Sequence, residues 1–294
     1  MKIEPTSFGP WRGAWKCTLG EMELIAVGEI GPRIVSLRVG DGPNVLFDDS
    51  NGALARRPAV ADEDWHIWGG HRFWISPESE TTYQPDNAPC EVQVEDGRLT
   101  LTAPPEPSGL QKTLVVSGDG RGGGFRLTHR LRNTGEMLAS GAIWALTCIE
   151  PTGRIVAPWG EGSESWRCQT VKYWKAWAGH GSDVASRQWR PMNDVFVVEP
   201  TGEEGKVGLY SDAGWLALLR DDATFIKGYD PIVEAVYPDG NCNVELYTCG
   251  QFAEMETLGP VTTFMPGVEY THTEHWRIVA ETFTLERWRD ANPC

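Results

Sequence analysis

The chain has 294 residues, with 26 Lys and Arg against 41 Asp and Glu and a formal charge of -15. Such an acidic protein repels phosphate backbones, whose binding rests on clustered cations, and this excludes a nucleic-acid partner. No stretch reaches the roughly 18–20 consecutive apolar residues of a membrane-spanning helix, so no membrane partner is expected either.

The first ten residues carry Glu4, Pro5 and Pro10 where a signal peptide needs an apolar run, so no leader is expected. Seven cysteines, at 17, 90, 148, 168, 242, 249 and 294, are odd in number and form no C-x-x-C pair. They read as reduced thiols of a cytoplasmic protein, without a disulfide framework or a zinc knuckle. Period-two patterns predict short strands at 22–27, 33–39, 99–102, 113–116, 125–132, 142–148, 207–211, 215–219, 244–248, 252–258 and 269–279. In the clearest of them Phe125, Leu127, His129 and Leu131 share one face and Arg126, Thr128 and Arg130 the other, before the turn Asn133-Thr134-Gly135. With 33 Gly and 20 Pro between them, these strands predict an all-β chain of stacked, mostly antiparallel sheets. Helical periodicity is confined to 281–290. No Ser/Gly linker divides the chain, so residues 1–294 read as one domain.

Stretches at about 48–90 and 158–195 break the strand rhythm and read as long loops, ordered by their aromatic content. Of the 14 tryptophans, Trp65, Trp68, Trp74, Trp159, Trp166, Trp174, Trp177 and Trp189 lie in or beside these loops, where they suit a stacking cleft. The first loop holds the densest chemical cluster, from Asp62 to Glu78. Gly69-Gly70 permits close approach of a backbone or ligand, His71 can exchange protons near neutrality, and Arg72 offers a rigid fork of donors. On the strand at 252–258, Glu254 and Glu256 share a face with Phe252 and Leu258, an arrangement that raises carboxylate pKa values and prepares a general base. On the last strand His272 and Glu274 face one way and His275 the other, so His272 and His275 cannot share a metal ion. His129 reads as a satisfied core histidine, and His180 as a rim or surface residue. The chain carries no G-x-S-x-G, Walker, H-E-x-x-H or dinucleotide-binding motif, and neither a metal nor a cofactor is expected.

The segments Arg130-Leu131-Arg132-Asn133-Thr134-Gly135, Phe252 to Pro260 and Pro266 to Trp276 resemble, in that order, segments of the galactose mutarotase-like superfamily. The Gly69–Glu78 cluster extends the likeness over most of the chain. The resemblance implies a β-supersandwich that takes a small-molecule carbohydrate. It implies an aldose 1-epimerase chemistry, in which a glutamate removes the O1 proton, a histidine protonates the ring oxygen, and the opened sugar recloses as the other anomer. Glu256, followed by Thr257, matches the glutamate, with Glu254 second, and Arg72 matches the substrate-binding arginine. The family's mid-chain histidine has no counterpart in Ala145-Leu146-Thr147-Cys148-Ile149-Glu150, which leaves His71 or His272 as substitutes. Trp68, Trp74, Trp174, Glu78 and Glu254 complete the expected substrate site. A non-catalytic sugar-binding module and a polysaccharide lyase are the alternatives, the latter needing a local basic patch such as Arg72, Lys172, Lys175, Arg187 and Arg190. The overall acidity favours a neutral sugar.

Overall fold

A computed structural model describes residues 1–54, 60–120, 123–160 and 170–281; the helix expected at 281–290 lies, from residue 282 on, outside them, as does Trp166. Among the described residues, one eleven-stranded and one ten-stranded sheet, both antiparallel, pack face to face, with a two-stranded hairpin beside them. The larger sheet runs Lys2–Phe8, Trp11–Leu19, Met22–Val27, Arg33–Val39, His71–Ser76, Ala139–Ile149, Ala253–Leu258, Val244–Thr248, Gly205–Leu209 and Val171–Tyr173, with Thr262–Phe264 paired to one end of Ala139–Ile149. The smaller runs Trp189–Pro191, Val195–Val198, Arg154–Pro158, Trp215–Leu219, Thr224–Tyr229, Glu269–Val279, Phe125–Asn133, Leu110–Gly118, Arg98–Thr102 and Glu91–Glu95. No helix among the described residues is long and apolar enough to cross a membrane.

Expected and observed strands coincide at Met22–Val27, Arg33–Val39, Trp215–Leu219, Val244–Thr248 and Glu269–Val279. The first expected loop is corrected at its centre, where His71–Ser76 is an inner strand of the larger sheet. That strand shows no polar–apolar alternation because both of its faces are covered, one by the second sheet and one by loops. Alternation elsewhere divides each strand between two environments. Met255 and Ala253 enter the intersheet core with Leu246, Phe225 and Trp276, while Glu254, Glu256 and Leu258 face the other way. Burial of each Leu, Phe or Met in that core contributes about 1.5–3 kcal/mol, which makes it the main force between the sheets.

Gly69 and Gly70 serve backbone packing. Both have positive φ, 73° and 66°, and a Cβ on Gly70 would overlap the Ile34 carbonyl oxygen, as one on Gly69 would that of Phe47. Gly70→Ala is therefore expected to lose about 2 kcal/mol or more of stability, through backbone strain added to the overlap. A chemical-denaturation midpoint equal to that of the parent would contradict this account.

Candidate functional site

The face of the larger sheet turned away from the core carries a row of polar groups. Cross-strand register places Arg72, Leu146, Glu256 and Glu245 side by side, with Cys148, Glu254, Tyr247 and Lys206 in the next row and Trp74, Trp144 and Leu258 on the other flank. The two stretches expected as loops fold over this face, one bringing Trp65, Ile67 and Tyr83, the other Trp177 and His180. Between them lies a narrow cleft of about 60 Å³. Buried Arg33 anchors the first loop, donating to the carbonyls of Ile67 (3.0 Å) and Gly69 (2.9 Å) while pairing with Asp86 at 2.7 Å.

Arg72 occupies the cleft wall. Its guanidinium lies 4.0 Å over the Trp74 ring, donates to the Ile67 carbonyl at 3.0 Å and approaches Glu254 at 3.8 Å, while its buried Nε–H has no partner. Glu254 borders the cleft and accepts from the Cys148 thiol at 3.1 Å. Glu78 borders it as well, with one oxygen bound by the Tyr83 hydroxyl. Trp74 is part of an indole cluster, edge-on to Trp144 at 5.7 Å and tilted against Trp65 at 6.4 Å.

Beneath this floor, Lys206 serves three carboxylates at once: Glu245 at 2.8 Å, Glu256 at 3.3 Å and Glu78 at 4.0 Å. Burial alone would lower its pKa, but these anions hold the ammonium well above the ordinary lysine range. One ammonium cannot compensate the closely paired Glu245 and Glu256. Burial raises the pKa of both, against the pull of Lys206, so the pair retains a proton near neutrality. Each also has a buried oxygen without a hydrogen-bond partner, as a carboxyl sharing too few donors must.

Glu256, matched by resemblance to the epimerase base, does face the cleft side of the sheet, yet it is sealed below the cleft rather than bordering it. It is fully buried, and its Oε2 is taken by the Trp144 indole N–H at 2.6 Å and by Lys206. Neither expected acid reaches the cleft. His71 alternates with Arg72 along its strand, and period-two geometry therefore sends it into the core between the sheets. His272 also points inward, from the opposing sheet. There, His129 Nδ1 donates to the His272 carbonyl oxygen (3.0 Å), so its Nε2 accepts from His71 Nε2–H (2.8 Å), and His71 Nδ1 accepts from the Thr147 hydroxyl (2.9 Å). Burial lowers all three histidines, His71 well below its ordinary value and His129 and His272 to about 3. They are neutral structural groups. Donor atoms of His71, His129 and Glu274 lie within 4.8 Å of one another, but a cation is already present in the ammonium of Lys227, 3.0 Å from Glu274 and bonded to Met255 O at 2.7 Å.

Trp68 packs away from the cleft, edge-on to Trp11 at 5.8 Å, with its N–H given to Asn87. Trp174 stands beside it, 5.3 Å from the Lys206 ammonium and 4.1 Å from that of Lys172. Trp159 and Trp189, also assigned to stacking from the sequence, belong to the core. Of the cations named for the lyase alternative, Arg72 borders the cleft, while Lys172 lies 3.9 Å from Asp239 and Arg190 pairs with Glu199 at 2.6 Å. Lys206, Trp144 and Tyr247 escaped sequence reasoning. A signal existed in Lys206, a lone charge inside the small, apolar strand Gly205–Leu209, whereas Trp144 sits in a run that is apolar on both faces.

No protein-family model matches the chain, and no curated protein matches it. Solved structures do. A candidate aldose 1-epimerase from Escherichia coli K12 superimposes with a TM-score of 0.57 at 11% identity, over 90% of this chain and 98% of that one. A galactose mutarotase-like protein from Lactobacillus casei gives 0.53 at 11%, over 91% and 100%. A TPR-domain containing protein from Parabacteroides distasonis gives 0.60 at 14%, over 96% of this chain and 52% of its own length. The fold is thus the galactose mutarotase-like β-sandwich.

Proposed function

We propose that the cleft binds a small neutral carbohydrate and interconverts its anomers, with Glu254 as the base. The observation that carries this reading is Arg72 in the cleft wall: its guanidinium is stacked on Trp74, donates to the Ile67 carbonyl and lies 3.8 Å from the Glu254 carboxylate. Indole and phenol rings around it match the apolar faces of a sugar ring, while carboxylates accept from its hydroxyls. Two cations, Arg72 and Lys206, and two carboxylates, Glu78 and Glu254, border the cleft, so a neutral ligand leaves the charge balance intact.

Ring opening requires a base at O1, and Glu254 is placed to touch a bound ligand where Glu256 is not. Glu254→Gln is expected to bind sugar but to slow anomer exchange at least a hundredfold, read by exchange NMR or polarimetry. Glu256→Gln imitates the protonated carboxyl and should keep the rate within a few-fold. The opposite pattern would return the base role to Glu256. A non-catalytic sugar-binding module is the second reading, favoured by the sealing of Glu256, and sugar binding without exchange would establish it.

A further inference from the structure

We propose that a second, larger groove beside the cleft takes the remaining units of a neutral oligosaccharide whose reducing end enters the cleft, an assignment that rests on the carbohydrate reading above and names its substrate class. A cleft of about 60 Å³ admits the reacting end of a ligand and leaves the rest outside, whereas small-molecule sites commonly measure about 300–1,000 Å³. The groove measures about 620 Å³. Trp74 borders both spaces. Between them runs a ridge one chain thick, in which the end of the strand His71–Ser76 continues into the short 3₁₀ turn Glu80–Tyr83. Its side chains divide between the two sides: Glu78 and Tyr83 border the cleft, while Ser79, Thr82 and Gln84 border the groove. A chain of sugar rings laid across this ridge reaches both.

The lining of the groove selects the ligand class. Its charged side chains among the described residues are Glu106 and Lys112, which neutralise each other at 2.5 Å, so neither an anion nor a cation gains a partner there. The other polar groups are hydroxyls and one amide, which donate as well as accept, as sugar hydroxyls do. Thr82 Oγ1 accepts from the Ser79 N–H at 2.9 Å and keeps its own proton for a ligand, and Gln84 and Ser140 are both exposed. Ile75, Leu110 and Pro107 add apolar patches on which the C–H face of a ring can lie. This combination fits a neutral polyol and not a phosphorylated or acidic sugar. Contacts to the remote units hold the reacting end in place, which makes ligand length a determinant of specificity.

The test holds the reacting end constant, since glucose, maltose, maltotriose, cellobiose and cellotriose all present a glucose unit with a free anomeric carbon. Binding is measured by calorimetry and anomer exchange by NMR. The parent is expected to prefer one of the trisaccharides over glucose by roughly tenfold or more, in affinity and in kcat/KM. Ser140→Trp and Thr81→Trp, at exposed positions on two elements that border the groove, should cut that preference to within about threefold, through KM and not kcat. Circular dichroism establishes that each variant is folded. A parent that exchanges glucose without preferring the longer sugars, or two variants that keep the parent's preference, would overturn the groove assignment and leave the proposed function standing. A parent that prefers trisaccharides in binding but exchanges no anomer would keep the groove and remove the epimerase reading. If no sugar of any length binds, both fail.

Discussion

Replacing Lys227 by methionine is expected to lower the unfolding free energy by about 3–5 kcal/mol, the usual cost of removing one member of a buried ion pair. Lys227 is fully enclosed between the sheets, with its ammonium 3.0 Å from Glu274 and donating to Met255 O at 2.7 Å and Thr147 Oγ1 at 2.8 Å. Methionine would refill the volume of the stem. It would also leave Glu274 as a buried anion supported, among the described residues, by the Thr257 hydroxyl and the Trp276 indole N–H, and take a donor from the Met255 carbonyl. Loss of the partner charge dominates because the Coulombic gain vanishes while the desolvation of Glu274 remains. The double variant Lys227→Met/Glu274→Leu removes both charges and should recover to within about 2 kcal/mol of the parent. Urea titrations followed by tryptophan fluorescence measure both. A Lys227→Met midpoint equal to that of the parent would show that this buried pair does not stabilise the fold.

The residues that define the cleft and those that line the core lie on the same strands, and this explains what the sequence disclosed. Alternation placed Glu254 and Glu256 together on one face of Ala253–Leu258, and His129 on an apolar face, as observed. It could not state whether a face would be covered. Glu245 and Tyr247 share one face of Val244–Thr248, and both are buried beneath folded-over loops. The same limit misplaced His71: adjacency to Arg72 in the sequence guarantees opposite faces in a strand, and the error came from reading the segment as a loop. Aromatic loops were a sound clue to the cleft, since Trp65, Tyr83 and Trp177 do converge there. Tryptophan content alone could not separate them from Trp159 and Trp189, which fill the core. Lys206 stood out as a lone charge in Gly205–Leu209, but its anions come from strands and loops distant in sequence, so its role was not legible there.

Stability is expected to peak near pH 6.5 and to collapse steeply below about 4.5. His129 and His272 have folded-state values near 3, against 6.5 for the free side chain, and His71 is likewise depressed. A depressed histidine contributes stability that is intact above 6.5 and lost as pH falls, because the unfolded chain takes up protons that the folded core refuses. Each such group removes about 1.4 kcal/mol per pH unit across that window. Glu245 and Glu256 act in the opposite sense. Their raised values mean that the folded protein holds protons which the unfolded chain releases above 4.5, so their contribution is intact in acid and lost as pH rises through neutrality. Between 6.5 and 4.5 the three histidines and two carboxylates nearly offset, leaving a net slope of roughly one proton, about 1.4 kcal/mol per unit. Below 4.5 the carboxylates are protonated in both states, and the histidines act unopposed at about 4 kcal/mol per unit. Lys206, held well above the ordinary lysine range by its anions, keeps its charge throughout this range and adds no slope. Urea midpoints measured from pH 8 to 3.5 test the curve. His129→Gln should shrink the acid slope by about a third whatever it does to stability at neutral pH, since the slope counts titrating groups and the height does not. A midpoint that stays level from pH 4.5 to 3.5 would mean that the core histidines can charge in place, and the neutral network drawn between the sheets would be wrong.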